Sequence, residues 1–200
     1  MKKPLLLVFC KNPRRGKVKT RLASAIGEEK ALLIYCHLLE KTASVLQEIN
    51  TDIHVYYSEY IEEDNYFKSV AKQEKIQVGE SLGERMSHAF KASFKTHSPI
   101  VIIGTDLWSL EAKDIIQAFE SLKVNNVVLG PSHDGGYYLL GLNRYFPQLF
   151  ENKKWGSDTV LLQTLSDLTN EQFSLLEEKN DIDTLEDLQK HPDLMQLSNE

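Results

Sequence analysis

The feature that most constrains this chain is alternation: short apolar runs of strand length are separated by longer segments with the period of a helix. The runs fall at residues 5–10, 53–57, 76–78, 100–104, 127–130 and 137–142. Each is short enough to be a buried strand and too short to be a buried helix. Between them, residues 28 to about 48 carry Leu32, Tyr35, Leu39 and Leu46 near the three-to-four spacing of one buried helical face. Residues 82–94 and 110–122 also read as helices, with Ser81 and Ser109 placed to cap them. A last helix starts at Thr184, where Asp187 three residues on completes a helix-start signal. Strands alternating with helices predict the α/β class, a Rossmann-like open, mainly parallel sheet flanked by helices. No repeat or linker interrupts the pattern. A chain of 200 residues, 42% of them hydrophobic, can sustain one full core, so residues 1–200 are expected to form a single domain.

Charge and cysteine usage exclude several classes of function. The formal charge is -6, which argues against a general nucleic-acid or membrane-surface binder. Cys10 and Cys36 form neither a metal-ligand pattern nor a disulfide framework. The start of the chain, Lys2 and Lys3 before an apolar run, superficially resembles a secretory signal. That run leads into a strongly basic segment in place of a small-residue cleavage site, so a cytoplasmic protein is expected. No stretch approaches the roughly 20 apolar residues that span a bilayer.

In open α/β sheets ligands bind beyond the carboxyl ends of the strands, so polar residues that follow strands deserve scrutiny. After the first run, six of the eleven residues from Lys11 to Arg21 are basic: Lys11, Arg14, Arg15, Lys17, Lys19 and Arg21. Pro13 and Gly16 oppose a regular helix there, leaving a loop whose cations and backbone N–H groups suit a di- or triphosphate. The segment lacks both of the best-known phosphate-loop patterns, and a solvated basic loop is the bland alternative. After the fourth run comes Gly104-Thr105-Asp106. Asp106 is placed either to ligate a divalent ion, Mg2+ or Mn2+, that shares phosphate oxygens, or merely to cap the next turn. The third place is the segment from Leu129 to Gly141, strand, loop and strand, where Asp134-Gly135-Gly136 suits either backbone pressed against a ligand or a tight hairpin turn. Before the last helix, Asp181-Ile182-Asp183 either caps that helix or completes a metal site.

Several ordered motifs carry a resemblance beyond composition. Val8 to Pro13, Gly16 to Leu22, Ser81 to Met86, Gly104-Thr105-Asp106, Gly130-Pro131, Asp134 to Tyr138, Trp155-Gly156 and Asp181 to Thr184 together resemble the DUF2064 family, along nearly the whole chain. That family is often labelled as glycosyltransferases of the GT-A superfamily. The resemblance implies a nucleotide-diphospho-sugar transferase-like fold, related also to nucleotidyltransferases such as the 2-phospholactate guanylyltransferases. It implies that Lys19 and Arg21 contact nucleotide phosphates and that Asp106 ligates the metal. The expected phosphate set is Lys11, Pro13, Gly16, Lys17, Lys19, Arg21, Arg85, Gly135 and Gly136. The expected metal set is Asp106 with Asp183. Relatives usually carry a small residue and a proline after the Asp, whereas this chain has Leu107-Trp108. Trp108 is either a stacking platform or a packing residue.

The leading expectation is therefore a metal-dependent transferase that takes a nucleotide or nucleotide-sugar and a small-molecule acceptor. Asp134, Lys19 and Arg21 are its candidate catalytic residues, with Asp134 positioning or deprotonating the acceptor hydroxyl. Glycosyl transfer leads, with nucleotidyl transfer that releases pyrophosphate as the alternative. A non-catalytic nucleotide- or phosphosugar-binding protein is the alternative from another class.

Overall fold

The computed structural model describes residues 2–197. Its seven strands are β1 (Lys3–Cys10), β2 (Asp52–Tyr57), β3 (Gln73–Ile76), β4 (His97–Ile103), β5 (Val127–Pro131), β6 (Tyr137–Leu142) and β7 (Phe173–Leu175). They form one sheet in the order β3-β2-β1-β4-β6-β5-β7. β6 runs antiparallel to β4 and β5, and the other pairings are parallel. The helices are α1 (Thr20–Ile26), α2 (Glu28–Leu46), α3 (Leu82–Ser93), α4 (Ala112–Ser121), α5 (Val160–Ser166), α6 (Leu185–Gln189) and α7 (Pro192–Leu197). This is the open, mainly parallel sheet flanked by helices that the alternation predicts. None of the described helices is long and apolar enough to cross a membrane.

Strand alternation divides the core between the two faces of the sheet. Leu6, Val8, Val101 and Ile103 pack on one side with Ile34, Leu38 and Leu39 of α2 and Ile115 of α4. Leu5, Leu7, Ile100, Ile102 and Leu140 pack on the other with Met86 and Phe90 of α3. Burial on both faces explains why the central strands read as unbroken apolar runs.

β1 is hydrogen-bonded to β2 on one side and β4 on the other, both parallel. Its loop and the loop leaving β4 depart in different directions, which opens a crevice at their carboxyl ends.

The largest departures from expectation lie at the sheet edges and around the basic loop. β3 spans Gln73–Ile76 and not 76–78, because Val78 (62% exposed) lies beyond the edge strand and its apolar character is no sign of burial. β7 and α5 were not anticipated; both are short and expose Phe173, Leu175 and Leu162. The segment 11–21, expected as loop throughout, already enters α1 at Thr20. α4 begins at Ala112 with Glu111 and Asp114 forming its capping box, two residues after the expected Ser109 cap. Ser81 does cap α3, its Oγ accepting the Glu84 N–H at 3.2 Å.

The start predicted at Thr184 is a full capping box, but the helix it opens is the short α6, and α7 follows it. The Asp187 carboxylate accepts N–H groups from Thr184 (2.9 Å) and Asp183 (3.3 Å), and Asn180 Nδ2 at 2.9 Å. Burial opposes ionisation, but these bonds to the charged form prevail and push its pKa down to about 2. The folded-state value lies below the ordinary 3.8, so the contribution is complete above about pH 4 and fades as pH falls through 2. Asp187→Ala is therefore expected to lower stability by about 1 kcal/mol at neutral pH. In urea titrations the gap from wild type should shrink between pH 4 and pH 2; a constant gap would contradict the linkage.

Candidate functional site

A cavity of about 890 Å³ opens at the carboxyl ends of β1 and β4. Its volume lies within the range of small-molecule sites. Lys11 and Lys17 reach it from the loop after β1, Gly104, Thr105 and Asp106 from the loop after β4, and Asp134 and Gly136 from the β5–β6 hairpin. Asp181 and Asp183 line it ahead of α6, and Arg85 from α3. The topology thus gathers all four of the sequence-selected places into one site. Pro13, Gly16, Lys19, Arg21 and Gly135 are not among the lining residues.

Lys19 lies beneath the floor of the cavity. It precedes α1 with φ 46° and ψ 43°, the left-handed region that costs a residue with a side chain about 1–2 kcal/mol. Its ammonium pairs with Asp106 Oδ1 and with Asp183 Oδ1 at 3.1 Å. The Lys19 side chain is 3% exposed whereas those of Asp106 and Asp183 are 45% and 42% exposed, so the cation is sealed below and the carboxylates face the cavity. Burial raises the Asp106 pKa, but Lys19, helped by Lys11, outweighs it and holds the carboxyl below the ordinary range. The same contacts overcome the burial of Lys19 and hold its pKa above the ordinary value, so the pair is ionised at neutral pH.

The loop around Lys19 is fastened to its neighbours. Tyr35 Oη on α2 accepts the Lys11 N–H at 2.9 Å and lies 3.3 Å from the Thr105 hydroxyl. Asn12 Oδ1 accepts the Glu59 N–H at 2.9 Å, and its Nδ2 donates to the Tyr60 carbonyl at 2.9 Å. Loops after three adjacent strands are thereby held together. Arg14 pairs with Glu59 at 2.6 Å, and Arg15 with Glu28 and Glu29 at 3.1 and 2.8 Å, all on the exposed surface. The basic run therefore separates into surface pairs, one buried cation, an exposed Arg21 on α1, and Lys11 and Lys17 facing the cavity.

Asp134 closes the β5–β6 hairpin, its Oδ1 accepting the Gly136 N–H at 2.9 Å and the Ser132 hydroxyl. Gly135 adopts φ +83°, and a Cβ there would lie 2.1 Å from the Asp158 carbonyl, so a tight turn and a close backbone approach account for this glycine. Asp181 lies in the Asp181-Ile182-Asp183 segment but outside the expected metal set of Asp106 and Asp183. Burial, with Asp106, Asp134 and Asp183 nearby, outweighs the attraction of Lys19 and pushes its pKa up to about 7. The site thus holds more carboxylate than its one buried ammonium neutralises. Among the described residues no group of three or more His, Cys, Asp or Glu could hold a metal ion by itself. Asp106 and Asp183 are the residues that would hold a divalent metal ion here, since Mg2+ is usually held by one or two carboxylates.

Leu107 is buried in the core, and Trp108 packs against that core while donating from Nε1 to Asp193 at 2.7 Å. This is the packing alternative for Trp108. The sequence carries no sign of the roles of Tyr35 and Asn12, because Tyr35 occupies the buried face of α2 and the partners of Asn12 lie more than 40 residues away.

The family model described as uncharacterized protein conserved in bacteria (DUF2064) matches residues 41–157. No curated protein matches the sequence. Among solved structures, a Desulfovibrio desulfuricans G20 protein whose name places it with the nucleotide-diphospho-sugar transferases is 31% identical, covering 94% of this chain and 85% of that one with a TM-score of 0.85. The 4-diphosphocytidyl-2C-methyl-D-erythritol synthase of Anaerococcus prevotii DSM 20548 shares the fold at 11% identity, with coverage of 98% and 99% and a TM-score of 0.62. Rv0371c of Mycobacterium tuberculosis H37Rv, in complex with manganese, shares it at 11% identity, with coverage of 94% and 97% and a TM-score of 0.58. The fold is that of the nucleotide-diphospho-sugar transferases, and with the family model matching more than half its length the chain belongs to the DUF2064 family.

Proposed function

We propose that the protein is a cytoplasmic, metal-dependent glycosyltransferase that binds a nucleotide-diphospho-sugar with Mg2+ or Mn2+ and passes the sugar to a small-molecule acceptor. The observation that carries this reading is the pair Asp106 and Asp183, held over buried Lys19 and turned toward a cavity that Lys11 and Lys17 also enter. Two carboxylates and two cations facing one space suit a metal-bound diphosphate better than either component alone. When bound, the metal supplies positive charge to phosphate oxygens.

In this reading Lys11 and Lys17 hold the diphosphate and stabilise its charge as it leaves. Lys19 is a positioning residue that fixes the two carboxylates, not a direct phosphate contact, and Arg21 is left outside the chemistry. Asp134, its Oδ1 committed to the hairpin, uses its other oxygen to take the proton of the acceptor hydroxyl. The hydroxyl oxygen forms a bond to the anomeric carbon, the bond from that carbon to the diphosphate breaks, and nucleoside diphosphate departs. Nucleotidyl transfer is the second reading. Lys11, Lys17 and Arg85 give one cavity three cations, enough to grip a triphosphate.

A thermal-shift panel of nucleotide-sugars and nucleoside triphosphates, each with and without Mg2+ or Mn2+, tests the reading. A ligand at 100 times its dissociation constant should raise the melting temperature by about 5–10 °C. Asp106→Asn should abolish the metal-dependent part of that rise, and a rise that survives unchanged would remove Asp106 from the metal site. Product analysis separates the chemistries, because nucleoside diphosphate supports glycosyl transfer and pyrophosphate supports nucleotidyl transfer. Binding without turnover in any donor and acceptor pair would favour a binding protein.

Lys19→Met leaves two carboxylates without their counter-charge and should cost about 1 kcal/mol or more of stability. Millimolar Mg2+ should recover part of that loss in the variant and stabilise wild type less. Equal effects on both would separate Lys19 from the metal site.

A further inference from the structure

The cavity continues over the edge of the sheet onto its other face, where its character changes. Phe9, Met86, Ile102, Leu140, Tyr137 and Trp155 line this second lobe, and all belong to or pack against the core cluster beneath α3. Lys19 and Tyr35, which organise the charged floor, belong to the opposite face. The two lobes meet where β6 begins: the Gly104 N–H donates to the Tyr138 carbonyl at 3.2 Å, so Tyr137 stands at the level of the loop that carries Asp106.

The apolar lobe is a constructed wall and not a gap in the core. A Cβ on Gly83 would lie 2.2 Å from Trp155 Nε1 and 2.5 Å from Cε2, so the start of α3 accepts the indole only because residue 83 is glycine. Trp155 meets Tyr137 edge-on at 6.4 Å and 84°. These contacts join Gly83 of one sequence motif to Trp155 of another, neither of which takes part in the charged floor. At the rim Leu82 is 47% exposed, an apolar side chain on the first turn of a helix beside an open cavity.

We infer that this lobe is the acceptor subsite, and that the acceptor is a ring-bearing alcohol with one apolar face, such as a pyranoside or aryl glycoside. The inference rests on the transferase reading above, since it takes the diphosphate to lie on the charged floor. A nucleobase placed in the lobe would meet Tyr137 and Trp155 with only Phe9, Met86 and Ile102 behind them, side chains that offer its N–H and carbonyl groups no hydrogen bond. The polar lining near β2 and β3, with Ser58, Gln77 and Glu80, suits a base instead. A ring alcohol keeps its hydroxyl edge toward Asp134 and buries its C–H face on Trp155 and Tyr137. An acyclic polyol has no such face to bury.

Trp108→Phe leaves Trp155 as the sole tryptophan and makes its fluorescence a direct report on the lobe. Phenyl β-glucopyranoside should quench it saturably in the presence of Mg2+ and nucleoside diphosphate, and glycerol should not. Leu82→Asp, an exposed position, should weaken that binding about tenfold while nucleotide thermal shifts stay as in wild type. Trp155→Ala, followed by calorimetry, should weaken it at least as much. If phenyl β-glucopyranoside leaves Trp155 unchanged while nucleotides still stabilise the protein, the acceptor inference fails and the transferase reading stands. Quenching by nucleoside diphosphate alone would assign the lobe to the base and overturn the inference. Absence of both nucleotide and glucoside binding overturns the two together.

Discussion

The ammonium of Lys19 between Asp106 and Asp183 is the interaction on which the site depends. A lysine so deeply buried needs counter-charge, and two carboxylates supply it. Two carboxylates so close need a cation, and the lysine supplies that. Each group makes the others tolerable, and the three come from parts of the chain that share no secondary-structure element. The left-handed backbone at Lys19 is the local strain that this mutual need sustains, since a relaxed conformation would aim the side chain elsewhere. The exposed cations have a different relation to the fold. Arg14 and Arg15 meet glutamates at the surface, where screening leaves such pairs with little net effect on stability.

Much of the architecture was legible because central strands buried on both faces leave an unmistakable mark. β1, β4, β5 and β6 read directly as apolar runs, and the caps at Ser81 and Thr184 follow from local hydrogen bonding that three or four residues encode. The edges were harder. β3 and β7 are short, half-exposed and held by pairing with a neighbour, which leaves little pattern in their own residues. At the site, sequence order could nominate Lys11, Lys17, Asp106, Asp134 and Asp183 as residues that follow or precede elements. It could not tell which cations face the cavity and which are matched elsewhere, because Glu28, Glu59 and Asp183 become partners only through tertiary contact. Nothing local to Trp155 marks its role, because its partnership with Gly83 depends on a helix start and a loop 72 residues apart meeting in space.

The cavity also shows how one reversed strand changes what a parallel sheet can present. Parallel strands deliver only their carboxyl ends to the crevice. β6 runs the other way, so it delivers its first residues there, with the turn that holds Asp134 directly before them. Tyr137 and Tyr138 then point to opposite faces, one toward Trp155 and the other into the core shared with α4. The cavity's two-sided lining follows from that alternation at a sheet edge.

Lys19 and Asp183 are separated by 164 positions in sequence. Their contact joins the start of α1 to the approach to α6, and so closes a loop that contains six of the seven strands. The charged floor is thus a property of the whole fold, with Lys19, Asp106 and Asp183 drawn from the beginning, middle and end of the chain.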